Sequence, residues 1–319
     1  MRAPRRSAIA LAAVGVLASS GGAYVGARNF LNGQADRARS VIPRTWDAPP
    51  RADGVYAPGG GPVERWSRDV PFDLHLMIFG DSTATGLGCV SADEVPGVRL
   101  ARALAEESGK RIRLSTKAIP GATSKGLSGQ VDAMFVAGPP PDAAVIMIGA
   151  NDITALNGIG ASARRLGAAV RRLRKSGAVV VVGTCPDFGV ITAIPQPLRW
   201  TARNRGLRLA RSQAAAVRHE GGIPVPLADL LAPEFLDAPE LLFSDDMYHP
   251  SAAGYALAAK QLFPGLCNAL GEWTGGPVPE LPWVSRAAEA RTIRSRLRRF
   301  SRLWRRTTGV PAPVVVPAG

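Results

Sequence analysis

The chain has 319 residues, 46% of them hydrophobic, enough for one ordinary domain with extensions and a substantial core rather than two full domains. Its formal charge is +14, but the excess arginines gather at the two ends and on helix-like stretches around 164–175 and 199–211. No RNA-binding, zinc-finger or homeodomain pattern accompanies that charge, so nucleic acid is not the expected partner, and an anionic membrane or cell-wall surface suits it as well.

In chain order, Arg2, Arg5 and Arg6 precede an uncharged run from Ser7 to Ala27. A basic flank followed by roughly 20 uncharged residues predicts a signal peptide or a transmembrane anchor over 1–27, with an exported body. Residues 28–71 are rich in Pro, Gly, Arg and Asp, with breaks at Pro49-Pro50 and at Pro58 to Pro62, and read as a tether. Strands are predicted at 74–80, 111–117, 143–148, 178–184 and near 223–226, and helices at 94–108, 124–136, 159–175, 201–219 and 251–263. Alternation of this kind predicts a parallel, doubly wound α/β sheet with helices on both faces. The uniformly apolar runs Ala143 to Ile148 and Ala178 to Val182 fit central strands buried on both faces. Beyond the domain, Ile293, Leu297, Phe300 and Trp304 recur at helical spacing among arginines, so 269–319 reads as a basic amphipathic tail suited to a membrane surface or to docking on the domain.

The chemistry-bearing residues fall where such a sheet presents its crevice. Gly80-Asp81-Ser82 ends the first long strand in a small polar turn, where Gly80 permits the sharp exit and Ser82 faces the ligand side. Gly121 follows the next strand, Gly149-Ala150-Asn151-Asp152 follows the third, and Asp246-Met247-Tyr248-His249-Pro250 lies near the end. Serine, imidazole and carboxylate together suggest a Ser/His/Asp hydrolase, because a hydroxyl needs a neighbouring base before it can attack. Asp245 adjoins Asp246, so a second carboxylate competes for the imidazole. Phe188, Ile191 and Trp200 lie in the Pro-rich segment after the fourth strand and are candidate walls of a substrate pocket. Gly80 to Gly88 lacks the lysine and spacing of a P-loop and the third glycine of a dinucleotide fingerprint, and no histidine spacing resembles a zinc site, so neither cofactor nor metal is expected. Cys89, Cys185 and Cys267 are too few for a disulfide scaffold; a Cys185 to Cys267 bridge and buried free thiols both remain open.

Taken together, Gly80-Asp81-Ser82, Gly121, Gly149-Ala150-Asn151-Asp152 and Asp246 to Pro250 resemble, in order, the blocks of the SGNH hydrolase family, the GDSL-type esterases and lipases, over roughly 72–268. The resemblance implies a flavodoxin-like three-layer α/β/α sandwich. It makes Ser82 the nucleophile, His249 the general base and then acid, and Asp246 the residue that orients the imidazole. Ser82 N–H, Gly121 N–H and the Asn151 amide would form the oxyanion hole. Thr83 stands where the family signature has leucine. A small-molecule, lipid or glycan ester is then the expected substrate. Acyl transfer to a glycan hydroxyl and non-catalytic binding of cell-wall glycan or lipid are the alternatives.

Overall fold

The computed structural model describes residues 26, 29–35, 49–136 and 138–281. The leader expected over 1–27 (Gly26 apart) and the amphipathic stretch of the tail, 286–306, lie outside the described residues. Among the described residues, no helix is long and apolar enough to cross a membrane.

Strands β1 (Gly54–Tyr56), β2 (Leu74–Gly80), β3 (Ile112–Thr116), β4 (Ala143–Met147), β5 (Val179–Gly183) and β6 (Ile223–Val225) form one sheet in the order β1-β3-β2-β4-β5-β6. The pairs from β3 to β6 are parallel, with registers such as Leu76↔Leu114, Ile78↔Val145, Val145↔Val181 and Gly183↔Val225. The helices are α1 (Ser82–Thr85), α2 (Pro96–Ser108), α3 (Leu127–Val136), α4 (Ala150–Thr154), α5 (Ile159–Lys175), α6 (Leu198–His219), α7 (Leu227–Asp237), α8 (Pro239–Leu242) and α9 (Ala252–Ala269). The strand order changes direction between β2 and β4, and there the loops after neighbouring strands diverge to leave a crevice.

Successive strand residues point to opposite faces, and this splits the core in two. Leu76, Ile78, Val145 and Val181 pack with Leu104 of α2 and Leu262 of α9 on one face. Met77, Phe79, Ile146 and Val182 pack with Val131 of α3, Leu166 of α5 and Val217 of α6 on the other. Each fully buried aliphatic of this kind contributes roughly 1.5–3 kcal/mol of transfer free energy. The three-layer α/β/α architecture follows.

Two boundaries differ from the sequence expectation. The tether assigned to 28–71 is in part an element of the domain: β1 pairs antiparallel with β3 through Val55↔Arg113, so the sheet is mixed rather than wholly parallel. Val55 and Tyr56 are each 1% exposed, and the Tyr56 hydroxyl donates to the Ala52 carbonyl at 2.5 Å. Trp66 lies under the Arg113 guanidinium, 3.5 Å from its ring centroid. Val55 and Tyr56 were hidden among Pro and Gly because a strand of three residues has no period to read. At the other end the domain does not stop at 268. Trp273 stacks edge-on against Phe263 at 6.0 Å, Glu272 pairs with Lys110, and Thr274 N–H donates to Glu107 at 2.8 Å.

Cys89, Cys185 and Cys267 are free thiols, and Cys185 and Cys267 belong to separate apolar clusters, so the bridge between them is not formed.

Candidate active site

The turn that carries Ser82 is built around a glycine that nothing else could replace. Gly80 has φ +134, and a Cβ there would lie 1.8 Å from the Met147 carbonyl oxygen. The chain can therefore cross close over β4, with Asp81 N–H donating to that same carbonyl at 3.1 Å. Asp81 then caps α1, accepting from Thr83 N–H at 3.0 Å and from the Thr83 hydroxyl at 2.7 Å. The threonine that departs from the GDSL signature thus supplies a second bond to the cap. Ser82 opens the helix and is 9% exposed.

The partner of Ser82 comes from the far end of the chain. An antiparallel bridge between Phe243 and Pro250 closes the loop that carries it, and Met247 bends that loop with φ +50. Tyr255 of α9 donates its hydroxyl to the Leu87 carbonyl at 2.8 Å, tying the helix after the loop to the turn after α1. The result brings Ser82 Oγ to 3.1 Å from His249 Nε2, and His249 Nδ1 to 2.6 Å from Asp246 Oδ2. A carboxylate only accepts, so Nδ1 carries the proton and Nε2 of the neutral ring is left to accept from the serine.

Asp246 is held as an anion. Burial pushes its carboxyl up, but the His249 ring and the backbone N–H groups of His249 and Tyr248 outweigh that and hold it down at about 2. Its Oδ1 accepts from His249 N–H at 2.8 Å, Tyr248 N–H at 2.9 Å and the Ser244 hydroxyl at 2.8 Å. The adjacent Asp245 is exposed and makes none of these bonds.

The loops after β3 and β4 are tied together beside this relay. Asn151 Nδ2 donates to the Ala122 carbonyl at 3.1 Å, which uses one of its two N–H groups. Asp152, 1% exposed, accepts from Ser124 N–H at 2.8 Å, Ser124 Oγ at 2.7 Å, Ser162 Oγ at 2.7 Å and Asn157 Nδ2 at 2.9 Å. Gly121 sits in the exposed turn next to Ala122, with φ +78. Ser82, His249, Asp246 and Asn151 therefore share one crevice, with Gly121 on the loop that Asn151 grips.

The model of the GDSL-like lipase/acylhydrolase family matches residues 78–257, a span that contains every one of these groups. The chain belongs to this family. The GDSL-like esterase Rv1075c of Mycobacterium tuberculosis is 67% identical over 317 residues, 99% of each chain. Among solved structures, TesA is 21% identical with a TM-score of 0.47, over 61% of this chain and 99% of that one. The psychrotrophic esterase EstA from Pseudoalteromonas sp. is 18% identical with a TM-score of 0.49, over 62% of this chain and 100% of that one. The protein is an ester hydrolase of the SGNH/GDSL type.

In this GDSL-type hydrolase Ser82 and His249 stand at a cavity of about 950 Å³, its open mouth included. Phe188 and Ile191 line it as expected from the sequence. Trp200 does not: it is 50% exposed and lies in the first turn of α6, which begins at Leu198, inside the stretch read as a loop. The walls that sequence reasoning missed come from α7 and the segment after it, Leu227, Leu231, Phe235 and Phe243. Their signal was the spacing of Leu227, Leu231 and Phe235, four residues apart on one helix face, obscured by Pro233 within the helix.

Asp81 is the other titrating group of interest. Complete burial pushes its carboxyl up to about 6, with Thr83 and the Gly149 N–H offsetting this only in part. A folded value above the unfolded one means that stability falls as pH rises from about 4 through about 6, by roughly 3 kcal/mol when both states are ionised. Asp81→Asn keeps an acceptor for Thr83 and loses the buried charge. Its melting temperature is expected to exceed the parent's by about 6 °C or more at pH 7.5, with the gap closing near pH 4. Equal gaps at both pH values in differential scanning calorimetry would contradict this.

Proposed function

We propose that Ser82 attacks the carbonyl carbon of a carboxylic ester whose acyl group occupies the apolar cavity. His249 Nε2 takes the hydroxyl proton as the Ser82 Oγ–carbon bond forms, then gives it to the departing alcohol oxygen as the ester C–O bond breaks, leaving an acyl-serine. Water enters by the reverse path, losing its proton to His249, and releases the acid. The observation that carries this reading is the Ser82–His249–Asp246 relay at the mouth of an apolar cavity. The Ser82 N–H, the free N–H of Asn151 and the Gly121 N–H are the donors assigned to the tetrahedral oxyanion. Asn151→Ala is expected to slow kcat by roughly 10² to 10³. Full turnover in that variant would remove Asn151 from the hole.

The substrate class proposed is an acyl ester of a lipid or glycan. Phe188, Ile191, Leu231, Phe235 and Phe243 present almost only apolar surface to it. Hydrolysis of p-nitrophenyl esters from acetate to palmitate tests this. Each buried methylene is worth about 0.8 kcal/mol, so kcat/KM should climb about fourfold per carbon until the cavity is full and then fall. A profile flat with chain length would mean the cavity does not hold the acyl group, and product captured by added sugar rather than water would turn the reading to acyl transfer. Export and a membrane tether belong to the same proposal, supported by Arg2, Arg5 and Arg6 ahead of the uncharged run Ser7 to Ala27. Recovery of the whole protein in the cytosolic fraction would refute that part.

A further inference from the structure

Two glutamines, each 2% exposed, sit where the strands part, and neither belongs to the relay or to the oxyanion donors. In the parallel β2–β3 ladder Leu74 N–H donates to the Arg111 carbonyl at 3.3 Å. Stepping by two residues along that register, Gly80 N–H would donate to the Lys117 carbonyl. Yet β3 ends at Thr116, and past it the chain still gives β2 its N–H groups, Lys117 to the Ile78 carbonyl at 2.8 Å and Ile119 to the Gly80 carbonyl at 3.1 Å. Gly80 N–H donates instead to Gln130 Oε1 at 2.8 Å, and Gln130 Nε2 donates back to the Gly80 carbonyl at 2.8 Å. A carboxamide carries a donor and an acceptor in one plane, as a peptide unit does, so this side chain takes the place expected for the Lys117 carbonyl as partner of Gly80 N–H and adds a second donor at the Gly80 carbonyl.

On the other side of the crevice a whole rung is replaced. Val179 N–H donates to the Asp142 carbonyl at 2.8 Å, and steps of two from there reach Cys185 N–H and the Ile148 carbonyl. Gln213 is inserted into that rung, accepting from Cys185 N–H at 2.8 Å and donating to Ile148 at 2.9 Å. Gly149 makes room for it, since a Cβ there would lie 2.8 Å from Gln213 Nε2. Gln213 thus wedges open the rung between the ends of β4 and β5, while Gln130 clips both polar groups of Gly80 at the end of β2.

The two amides differ in what they hold. Gln213 spans the loops after β4 and β5, whereas Gln130 grips both polar groups of the residue two before Ser82, from a helix that directly follows the Gly121 loop. Ile119 N–H of that loop also donates to the Gly80 carbonyl, at 3.1 Å.

We propose that Gln130 is a positioning residue for acyl transfer. It fixes the peptide planes that aim the Ser82 hydroxyl and N–H, and it couples them to the loop bearing Gly121. This inference rests on the reading of Ser82 as the nucleophile. A merely structural glutamine would affect stability and leave turnover per folded molecule alone.

The test uses the full chain and two variants. Gln130→Met keeps the length and loses both bonds. Gln130→Glu, when ionised, accepts from Gly80 N–H and cannot donate to its carbonyl; when protonated, it does both, and burial favours that neutral form. kcat and KM would be measured per fluorophosphonate-titrated site between about pH 6 and 9, the span over which a buried carboxyl of raised pKa changes state. Gln130→Met is expected to lose about 10²-fold in kcat with KM within about twofold. The kcat ratio of Gln130→Glu to the parent is expected to climb about tenfold as pH falls across that span, because the protonated carboxyl restores the pair, while the Gln130→Met ratio stays flat. Parent-like kcat per titrated site, or a Gln130→Glu ratio independent of pH, would overturn the proposal. If Gln130→Met does not fold, the Gln130→Glu ratio decides alone. A parent protein that takes up no fluorophosphonate defeats the reading of Ser82 instead, which is a distinguishable failure.

Discussion

Ser82→Ala is expected to lower kcat for ester hydrolysis by about 10⁴ to 10⁶-fold while the protein stays folded. On the proposed mechanism the loss is large because the acyl-serine forms on this hydroxyl. The imidazole Nε2 has Ser82 Oγ as its partner at 3.1 Å, and Cys185, the buried thiol of the neighbouring strand end, is pushed far up by burial and is no substitute nucleophile. Removing one hydroxyl from a residue that is 9% exposed leaves the cap on Asp81 and the α1 turn intact, so the melting temperature should move by no more than about 2 °C. The measurement pairs p-nitrophenyl ester turnover with fluorophosphonate labelling of both proteins. Turnover surviving in Ser82→Ala at a tenth or more of the parent's rate would mean that the ester is cleaved elsewhere.

Asp246→Asn should cost about 10⁴-fold in kcat, close to the loss of the serine itself. The asparagine oxygen can still accept from Tyr248 and His249 N–H, so the loop keeps its shape. Its amide, however, would face the His249 Nδ1 that now donates at 2.6 Å. Two donors cannot meet, so the proton moves to Nε2 and the ring no longer accepts from Ser82. Asp245→Asn is the internal control, because that carboxylate is exposed and makes no bond to the imidazole; its activity should stay within about twofold. The pH dependence follows in sign. Since the folded Asp246 carboxyl is held at about 2, below its ordinary value, its stabilising contribution is whole above about pH 4 and disappears as pH falls through about 2. A stability difference between Asp246→Asn and the parent that shrinks already between pH 7 and pH 5 in differential scanning calorimetry would contradict this.

The parallel strands were legible because their residues are apolar without interruption. A central strand has no solvent face to encode, and β2, β4 and β5 say so in Leu76 to Phe79, Ala143 to Met147 and Val179 to Val182. Asp246 was legible against Asp245 through the family resemblance, whose motif sets the carboxylate three residues before the histidine, and the Met247 turn brings that carboxylate back to the ring. The two crevice glutamines were not legible. A glutamine inside a helix carries no local mark, and the backbone groups that Gln130 and Gln213 hold lie 50 and 65 residues away in sequence at Gly80 and Ile148. Trp200 was assigned to the pocket because aromatic residues in a Pro-rich loop suggest a wall, whereas Pro197 immediately precedes the helix and sends Trp200 onto its surface.

The three-residue strand β1 has a consequence for where this domain can be cut. It covers the outer side of β3, whose other side is occupied by β2. A chain begun near Pro71 would leave Ile112 to Thr116 as a bare border of N–H and C=O groups, together with the apolar hollow left by Val55 and Tyr56. Such a border pairs with its own kind in other molecules, so the shortened protein would tend to associate and precipitate where the longer one does not. The smallest unit able to live alone in solution therefore begins ahead of Ala52, upstream of every residue that takes part in the chemistry.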